Sequence, residues 1–361
     1  MIRLAAVGDL QLGDSPTSVG FGFGSRYANS DLTSVLDGIR VGGGEALRAD
    51  VVFGNLEVPL STHTAATSIL SSRQMRGDPR FAPMLRAAGF TVLNVANNHA
   101  VQHGVGAFQD SLASLRAAGI TPCGIRGAAP WASAPVTLVA NGMRVGLLAY
   151  CLRPRQYGDA EPPYAEGSPD EIRSDVSRLR PDVDALFVSL HWGEEFVPVP
   201  SVGEAEFARS LIDAGATLIL GHHPHVARPV ERYRAGVIAY SLGNCVGDMV
   251  WYEPFRRGLL LQAEIAGGTV TSAVVRATRL AANYGPVVEP ADIPLVRADE
   301  IGALSDADYE RAIAQTWRDQ RRAVYPYALA HLWRVPPAAL GQLVGRTVRN
   351  KLRAAFGGGA P

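Results

Sequence analysis

Five times in this chain a short apolar run ends directly in a cluster of side chains that can bind metals or move protons. The clusters are Gly8-Asp9-Leu10-Gln11, Gly54-Asn55-Leu56-Glu57, Asn97-Asn98-His99, His191-Trp192-Gly193-Glu194 and Gly221-His222-His223-Pro224-His225. Short apolar runs bounded by turn residues read as buried strands. Strand ends are where α/β folds build sites, because a rigid strand holds its loop side chains in a fixed crevice. Six of the eight histidines lie in or beside these clusters, counting His103. Packing alone does not account for that concentration.

The rest of the pattern fits such a frame. Strands are expected at 2–7, 50–53, 90–95, 136–139, 144–150, 185–190, 217–220, 236–240, 258–265 and 270–277, and helices at 79–88, 107–118, 170–179 and 204–214. Asn141-Gly142 between two strands is a hairpin signal, since both residues accept positive φ. Gly119 is placed to stop the helix before it. Strand–helix alternation with a hairpin, followed by a run of strands, points to a layered α/β sandwich. Long Gly- and Pro-rich loops are expected at 14–30 and 153–168. After about residue 282 the character changes. Residues 305–324 read as a charged amphipathic helix and 336–356 as another, with five basic and no acidic residues from His331 onward. They are expected to pack on the main domain or on a partner, such as a second copy in a homodimer. The chain so divides into a domain at 1–281 and a C-terminal helical extension at 282–361.

Composition excludes several classes. With 34 basic and 34 acidic residues the chain has no general attraction for nucleic acid or anionic membrane. Three scattered cysteines without CxxC spacing argue against a disulfide framework and against a thiolate zinc site. No apolar run approaches the roughly 18 residues of an integral membrane segment. The apolar stretch before Asp9 is too short for a secretion signal, so the cytoplasm is the expected compartment.

Taken singly, several candidates have plain structural readings. Asp9 could cap a turn, Glu57 could be a solvated carboxylate, and His191 could be a satisfied core histidine. The triple-histidine turn resists that treatment, because three buried imidazoles in five residues need partners. Neutral imidazole is the commonest metal ligand, and His223 and His225 can face one point across a tight turn. Carboxylates, an amide oxygen and imidazoles without a thiolate suit Mn, Fe or Zn better than Ca or Mg. Six or seven candidates exceed what one ion needs. Two divalent metal ions about 3.5–4 Å apart, able to clamp an oxyanion and activate water, are the economical reading.

The motifs GDLQLGD, GNLEVPL, NVANNHA, LHWGEEF, GHHPHV and YSLGNCVGD, in this order over about residues 1–265, resemble the CapA family of poly-γ-glutamate synthesis proteins, within the calcineurin-like metallophosphoesterase superfamily. The resemblance implies a four-layer α/β/β/α sandwich of the metallophosphoesterase type, with the metals at one edge of the sheets. It implies Asp9 as a ligand of the first metal and Glu57 as the bridging carboxylate, although Asn55 stands where the superfamily has its bridging Asp. Asn98 and His191 match ligands of the second metal, and His223 and His225 ligate one metal each. His99 matches the histidine that donates a proton to the leaving group or steadies the transition state. Gln11 stands where the superfamily has a histidine, so Asp14 or a water fills that place or the first metal is weakly held. Arg76 would hold a substrate carboxylate or phosphate, Glu194 and Glu195 would orient His191, Asn244 and Asp248 would line the rim, and His222 would turn away into a hydrogen bond. A membrane anchor typical of capsule proteins is not apparent.

The implied activity is that of a dinuclear hydrolase acting on a phosphoester or phosphorylated metabolite, with a small or short polymeric anion as substrate. Hydrolysis or transfer at a γ-glutamyl-like amide bond is the alternative. A non-catalytic role in capsule assembly is the third.

Overall fold

The structure, a computed structural model, describes residues 1–37, 49–158 and 161–342. The first sheet has a parallel half, β1 (Ile2–Leu10), β2 (Val51–Leu56), β3 (Val92–Asn94) and β4 (Thr121–Cys123). The second has a parallel centre, β6 (Met143–Cys151), β7 (Ala185–His191), β8 (Leu218–His222) and β10 (Gly236–Ala239), edged by antiparallel β5 (Val136–Ala140) and β9 (Val230–Tyr233). On the far side of β1 the first sheet continues as the antiparallel meander β12 (Arg257–Ala266), β13 (Thr269–Leu280) and β14 (Pro286–Ile293), while β11 (Asn244–Val246) pairs in parallel with the end of β1.

Alternation along the strands makes the layers. In β1, Ile2, Leu4 and Ala6 face the space between the sheets, and Ala5 and Val7 face the outer core with Phe81, Leu85, Phe108 and Leu115 of two helices. In β7, Ala185 and Phe187 face inward, and Leu186, Val188 and Leu190 meet Ile172, Val176, Ala208 and Leu211 of two others. A period of two sends alternate side chains to opposite faces. Three apolar layers between four layers of secondary structure follow, and the architecture is a four-layer α/β/β/α sandwich.

The local signals act as their chemistry requires. Asn141 at φ 49° and Gly142 at φ 75° close the hairpin between β5 and β6. Ser168 and Ser201 form capping boxes with Glu171 and Glu204 at the starts of helices Pro169–Leu179 and Val202–Asp213. Strands β4, β9, β11 and β14 do not stand out in the sequence. Three of the four have no more than four residues, too few to establish a period.

The C-terminal helix spans Asp306–His331, longer than the expected 305–324, and runs through Pro326. Proline removes one backbone bond and normally ends a helix. Here the turn beyond it is held by rings: Tyr327 lies 5.7 Å from Trp251, and His331 stacks at 5.1 Å on Phe21. Most of the helix expected at 336–356 lies outside the described residues. Among the described residues no helix is long and apolar enough to cross a membrane.

Candidate metal centre

The sheets bring the ends of β1, β2, β7, β8 and β11 to one place, and the chain approaches itself there too closely for side chains. A Cβ on Gly8 would lie 1.9 Å from the Gly243 carbonyl oxygen, and one on Gly221 would lie 2.3 Å from that of Tyr240. Glycine is the residue that permits such contact. Beyond β8 the chain turns sharply, with His223 at φ 96° and His225 at φ 57°. Left-handed backbone at non-glycine residues costs about 1–3 kcal/mol each and concentrates at functional sites. The turn is held by the Asn244 amide, which donates to the His225 carbonyl oxygen at 3.3 Å.

Six expected ligands converge. Ligand atoms of Glu57, His191 and His223 lie within 4.8 Å of one another, and so do those of Asp9, Glu57 and His225. Glu57 Oε1 belongs to both sets, 3.7 Å from His191 Nε2 and 3.5 Å from His225 Nε2. Asn98 Oδ1 accepts from His191 Nε2 at 2.8 Å. His225 Nδ1 lies 3.3 Å from Asp9 Oδ2, and His222 Nδ1 lies 3.3 Å from Asp9 Oδ1. A relay of amides holds the carboxylate: Asn94 donates to Asn55 Oδ1 at 3.0 Å, and Asn55 donates to Asp9 Oδ1 at 2.8 Å.

The residues present fit divalent cations. Glu57 Oε1, Gln11 Oε1, His223 Nε2 and both nitrogens of His222 are buried without a hydrogen-bond partner. Each orphaned buried polar atom costs about 1–3 kcal/mol, and cations with their waters would satisfy the donor set. Burial pushes the Glu57 carboxyl up to about 8, with the Asp9 charge adding to it and His225 opposing. Burial also drives the His191 and His223 rings well below the usual histidine range, toward the neutral form that coordinates metals.

Other expectations come out differently. His222 does not turn away into a hydrogen bond; its ring faces Asp9, with Phe53 at 5.9 Å on another side. Glu194 does not orient His191, because Arg153 Nη1 takes its Oε1 at 2.7 Å. Glu195, the neighbour, groups instead with His223 and His225 as a third candidate ligand set. The two glutamates are adjacent in the chain, and no spacing in the sequence shows that they part. Asn244 holds His225, its Oδ1 accepting from Nδ1 at 3.0 Å. Asp14 is consumed by the loop ahead of it, accepting from Gly20 N, Ser25 N and Ser25 Oγ, and does not fill the place beside Gln11. Arg76 stands apart from the cluster, with its guanidinium on the carbonyls of Ser61, Thr62 and Ser72. His99, expected to move a proton and not to ligate, lies outside the ligand sets, with its Nδ1 2.7 Å from Gln102 Oε1.

Gln11 does face the cluster, donating to Glu57 Oε2 at 3.1 Å. Gln11→His is expected to tighten metal binding on the order of tenfold, since imidazole is the better donor for transition metals. Unchanged affinity by calorimetry would mean that the side chain at 11 does not reach the ion.

Asp248 is no rim residue but fully buried, accepting from Ser15 N and Phe23 N at 3.0 Å each. Burial, with nearby Asp14, raises its carboxyl to about 7. The folded state therefore binds a proton that the unfolded chain releases near pH 4, and stability falls as pH rises from about 4 to 7, by roughly 4 kcal/mol. Across that interval the slope of melting temperature against pH is expected to be more negative in the native chain than in Asp248→Asn. Parallel slopes for the two would refute the assignment.

Residues 3–249, more than half of the chain, match the bacterial capsule synthesis protein family PGA_cap. The chain belongs to this family. Among its relatives are the capsule biosynthesis protein CapA of Bacillus anthracis, 27% identical over 69% of this chain and 61% of that protein, and the PGA biosynthesis protein CapA of Bacillus subtilis, 30% identical over 56% of this chain and 54% of that protein. A probable polyglutamine synthesis accessory protein of Mycobacterium tuberculosis is 30% identical over 60% of this chain and 61% of its own. The PGA_cap chain thus spans less than two thirds of these curated relatives. Among solved structures, a hypothetical protein of Thermus thermophilus matches at TM-score 0.46 and 16% identity, covering 81% of this chain and 100% of that one. A phosphatase of Mycoplasma pneumoniae matches at TM-score 0.45 and 12% identity, covering 76% and 92%. Likeness at that level carries no argument about activity.

Proposed function

We propose that this PGA_cap chain is a metal-dependent hydrolase whose paired metal centre acts on a phosphoester or phosphorylated metabolite. The observation that carries the reading is the pair of ligand sets that share Glu57. Asp9, Glu57 and His225 would hold one cation, and Glu57, His191 and His223, with the Asn98 amide oxygen, the other. Bound there, two divalent metals would supply Lewis-acid polarisation of the substrate's oxygens and an acidified water. The chain's own residues do the rest. Asn55 and Asn244 fix Asp9 and His225, and the strained turn at His223 and His225 sets the ligands before substrate arrives. His99, held by Gln102, offers a ring nitrogen beside the ligands without being one of them.

The relatives are named for PGA biosynthesis and polyglutamine synthesis, and beside those names stands a second reading, hydrolysis or transfer at a γ-glutamyl-like amide bond with a short polymeric anion as substrate. Both are tested by loading the protein with manganese and assaying a chromogenic phosphate ester and a γ-glutamyl amide in parallel. Turnover of the ester, lost on chelation, supports the first reading. Release from the amide alone supports the second. A fully metal-loaded protein inactive on both would refute catalysis and leave a non-catalytic role in capsule assembly.

A further inference from the structure

Three ligand sets meet in the cluster, and each pair of them has one residue in common. Glu57 joins the set of Asp9 and His225 to that of His191 and His223, and Glu195 makes a third set with His223 and His225. The family resemblance would have Glu195 orient His191. No hydrogen bond joins it to that ring among the described residues, since the His191 nitrogens meet Asn55, Asn98 and His223.

The chain on both sides of Glu195 is clamped. Glu194 N donates to the Tyr309 hydroxyl at 3.2 Å, and the Glu194 carbonyl accepts from Arg228 Nη2 at 3.3 Å. Phe196 N donates at 2.8 Å to the carbonyl of Pro224, the residue between His223 and His225. The Phe196 ring lies 6.3 Å from His225 and 4.8 Å from Trp317 of the C-terminal helix. Glu195 is therefore fixed against the histidine turn by its neighbours. Its own carboxylate makes no hydrogen bond or ion pair among the described residues. Arg153 gives Nη1 and Nη2 to the carboxylate of Glu194 instead, at 2.7 and 3.4 Å.

A third set need not mean a third ion. A neutral imidazole has one N–H and one lone pair, so it serves one cation, whereas a carboxylate offers two oxygens and can serve two. His225 gives its Nδ1 proton to Asn244 and keeps Nε2 alone for a metal. With His225 on the first cation and His223 on the second, a third ion would have only Glu195 as a ligand of its own. Charge points the same way. Two divalent ions bring four positive charges to a buried site whose other two sets hold only the carboxylates of Asp9 and Glu57, and buried charge needs compensation.

From this arrangement we infer that Glu195 is a metal ligand shared by both cations, a second carboxylate spanning the pair beside Glu57. The inference rests on the paired-metal reading and adds a ligand that the resemblance does not imply.

Manganese binding to the full chain tests it, with stoichiometry from elemental analysis and both dissociation constants from calorimetry. The native chain is expected to hold two equivalents. Glu195→Gln is expected to hold two as well, each more weakly by at least about tenfold, with the melting temperature of the metal-free protein unchanged. Glu194→Gln, next to it and bound to Arg153, is expected to keep native affinities. A third equivalent in the native chain, unchanged affinities in Glu195→Gln, or weakening of one ion alone would overturn the shared ligand while leaving the metal centre standing. Equal weakening in Glu194→Gln would also overturn it, because the effect would then belong to the loop and not to ligation. A native chain with fewer than two equivalents would overturn the paired-metal reading itself, and the sharing with it.

Discussion

Glu57→Gln is expected to lose both metal equivalents at once, whereas His191→Ala and His225→Ala are each expected to lose one. The asymmetry follows from geometry: Glu57 Oε1 approaches His191 Nε2 at 3.7 Å and His225 Nε2 at 3.5 Å, and it alone of the side chains is common to both sets built on Asp9 and His191. An amide in its place keeps the volume and the Gln11 contact but loses the negative charge that two cations would share. The fold is expected to survive. Burial already holds the carboxyl near 8, so the metal-free protein at neutral pH carries it largely protonated, and a neutral amide changes little. For the same reason metal binding must displace a proton there, and affinity is expected to rise with pH up to about 8. Elemental analysis with a melting curve on the same preparation decides the matter. One metal retained at full occupancy in Glu57→Gln would sink the bridging role.

How far the sequence could show this centre depends on which kind of information each residue carries. Asp9, Glu57, Asn98, His191, His223 and His225 all follow short apolar runs that read as buried strands, and strands apolar on both faces require a layer packed on each. A strand end is a local signal, so residues on it are legible. What the sequence could not show is which neighbour across the sheet each residue meets. Asn55 reads as a departure from an expected aspartate, yet its amide is what holds Asp9, and only the parallel pairing of β1 with β2 brings them together. Asn244 reaches His225 because β11, three residues long, pairs with the end of β1 at Asp9. His222 is on a strand whose inward face carries Leu218 and Leu220, and the same parity turns it toward Asp9 rather than away. That parity was available in the sequence. The parting of Glu194 from Glu195 was not, because it depends on Arg153, 41 positions away in the chain, reaching one of them and not the other.

The strained turn gives the candidate ligands a preorganised character that bears on how substitutions will read. His223 and His225 both hold left-handed backbone, and groups from other strands surround them: Asp9 from β1, Glu57 beyond β2 and Asn244 from β11 meet His225, and His191 from β7 and Asp9 meet His223. Such a turn persists only where its surroundings overdetermine it. Loss of a single imidazole removes a ligand but leaves the remaining contacts to hold the loop, so metal loss and unfolding should separate experimentally.

His99→Ala is expected to keep its metals and lose turnover by ~10²–10⁴-fold, the usual contribution of a positioned acid or base. That corresponds to about 3–5 kcal/mol of barrier at ~1.4 kcal/mol per tenfold. The adjacent side chains diverge as such a division of labour needs. Asn98 Oδ1 meets His191 Nε2 at 2.8 Å, while His99 Nδ1 meets Gln102 Oε1 at 2.7 Å and its ring lies 6.0 Å from Tyr157. Burial pushes the His99 ring down to about 4, so at neutral pH it is uncharged. Gln102 accepts the Nδ1 proton, which leaves Nε2 as the acceptor. A donor role toward a leaving group therefore requires that the ring first take up a proton, and the attacking water is the group that must shed one. Gln102→Leu is expected to show a smaller loss, because it removes the orienting bond and leaves the ring. The competing account makes His99 a packing residue near His103. His103 is already satisfied by the Gln74 carbonyl at 2.7 Å and Thr64 Oγ1 at 2.8 Å, and no hydrogen bond joins it to His99 among the described residues. On that account His99→Ala would lower the melting temperature and spare kcat. Metal content, melting temperature and kcat measured on one preparation separate the two, and a variant with undiminished turnover on the true substrate rules out the proton-transfer role.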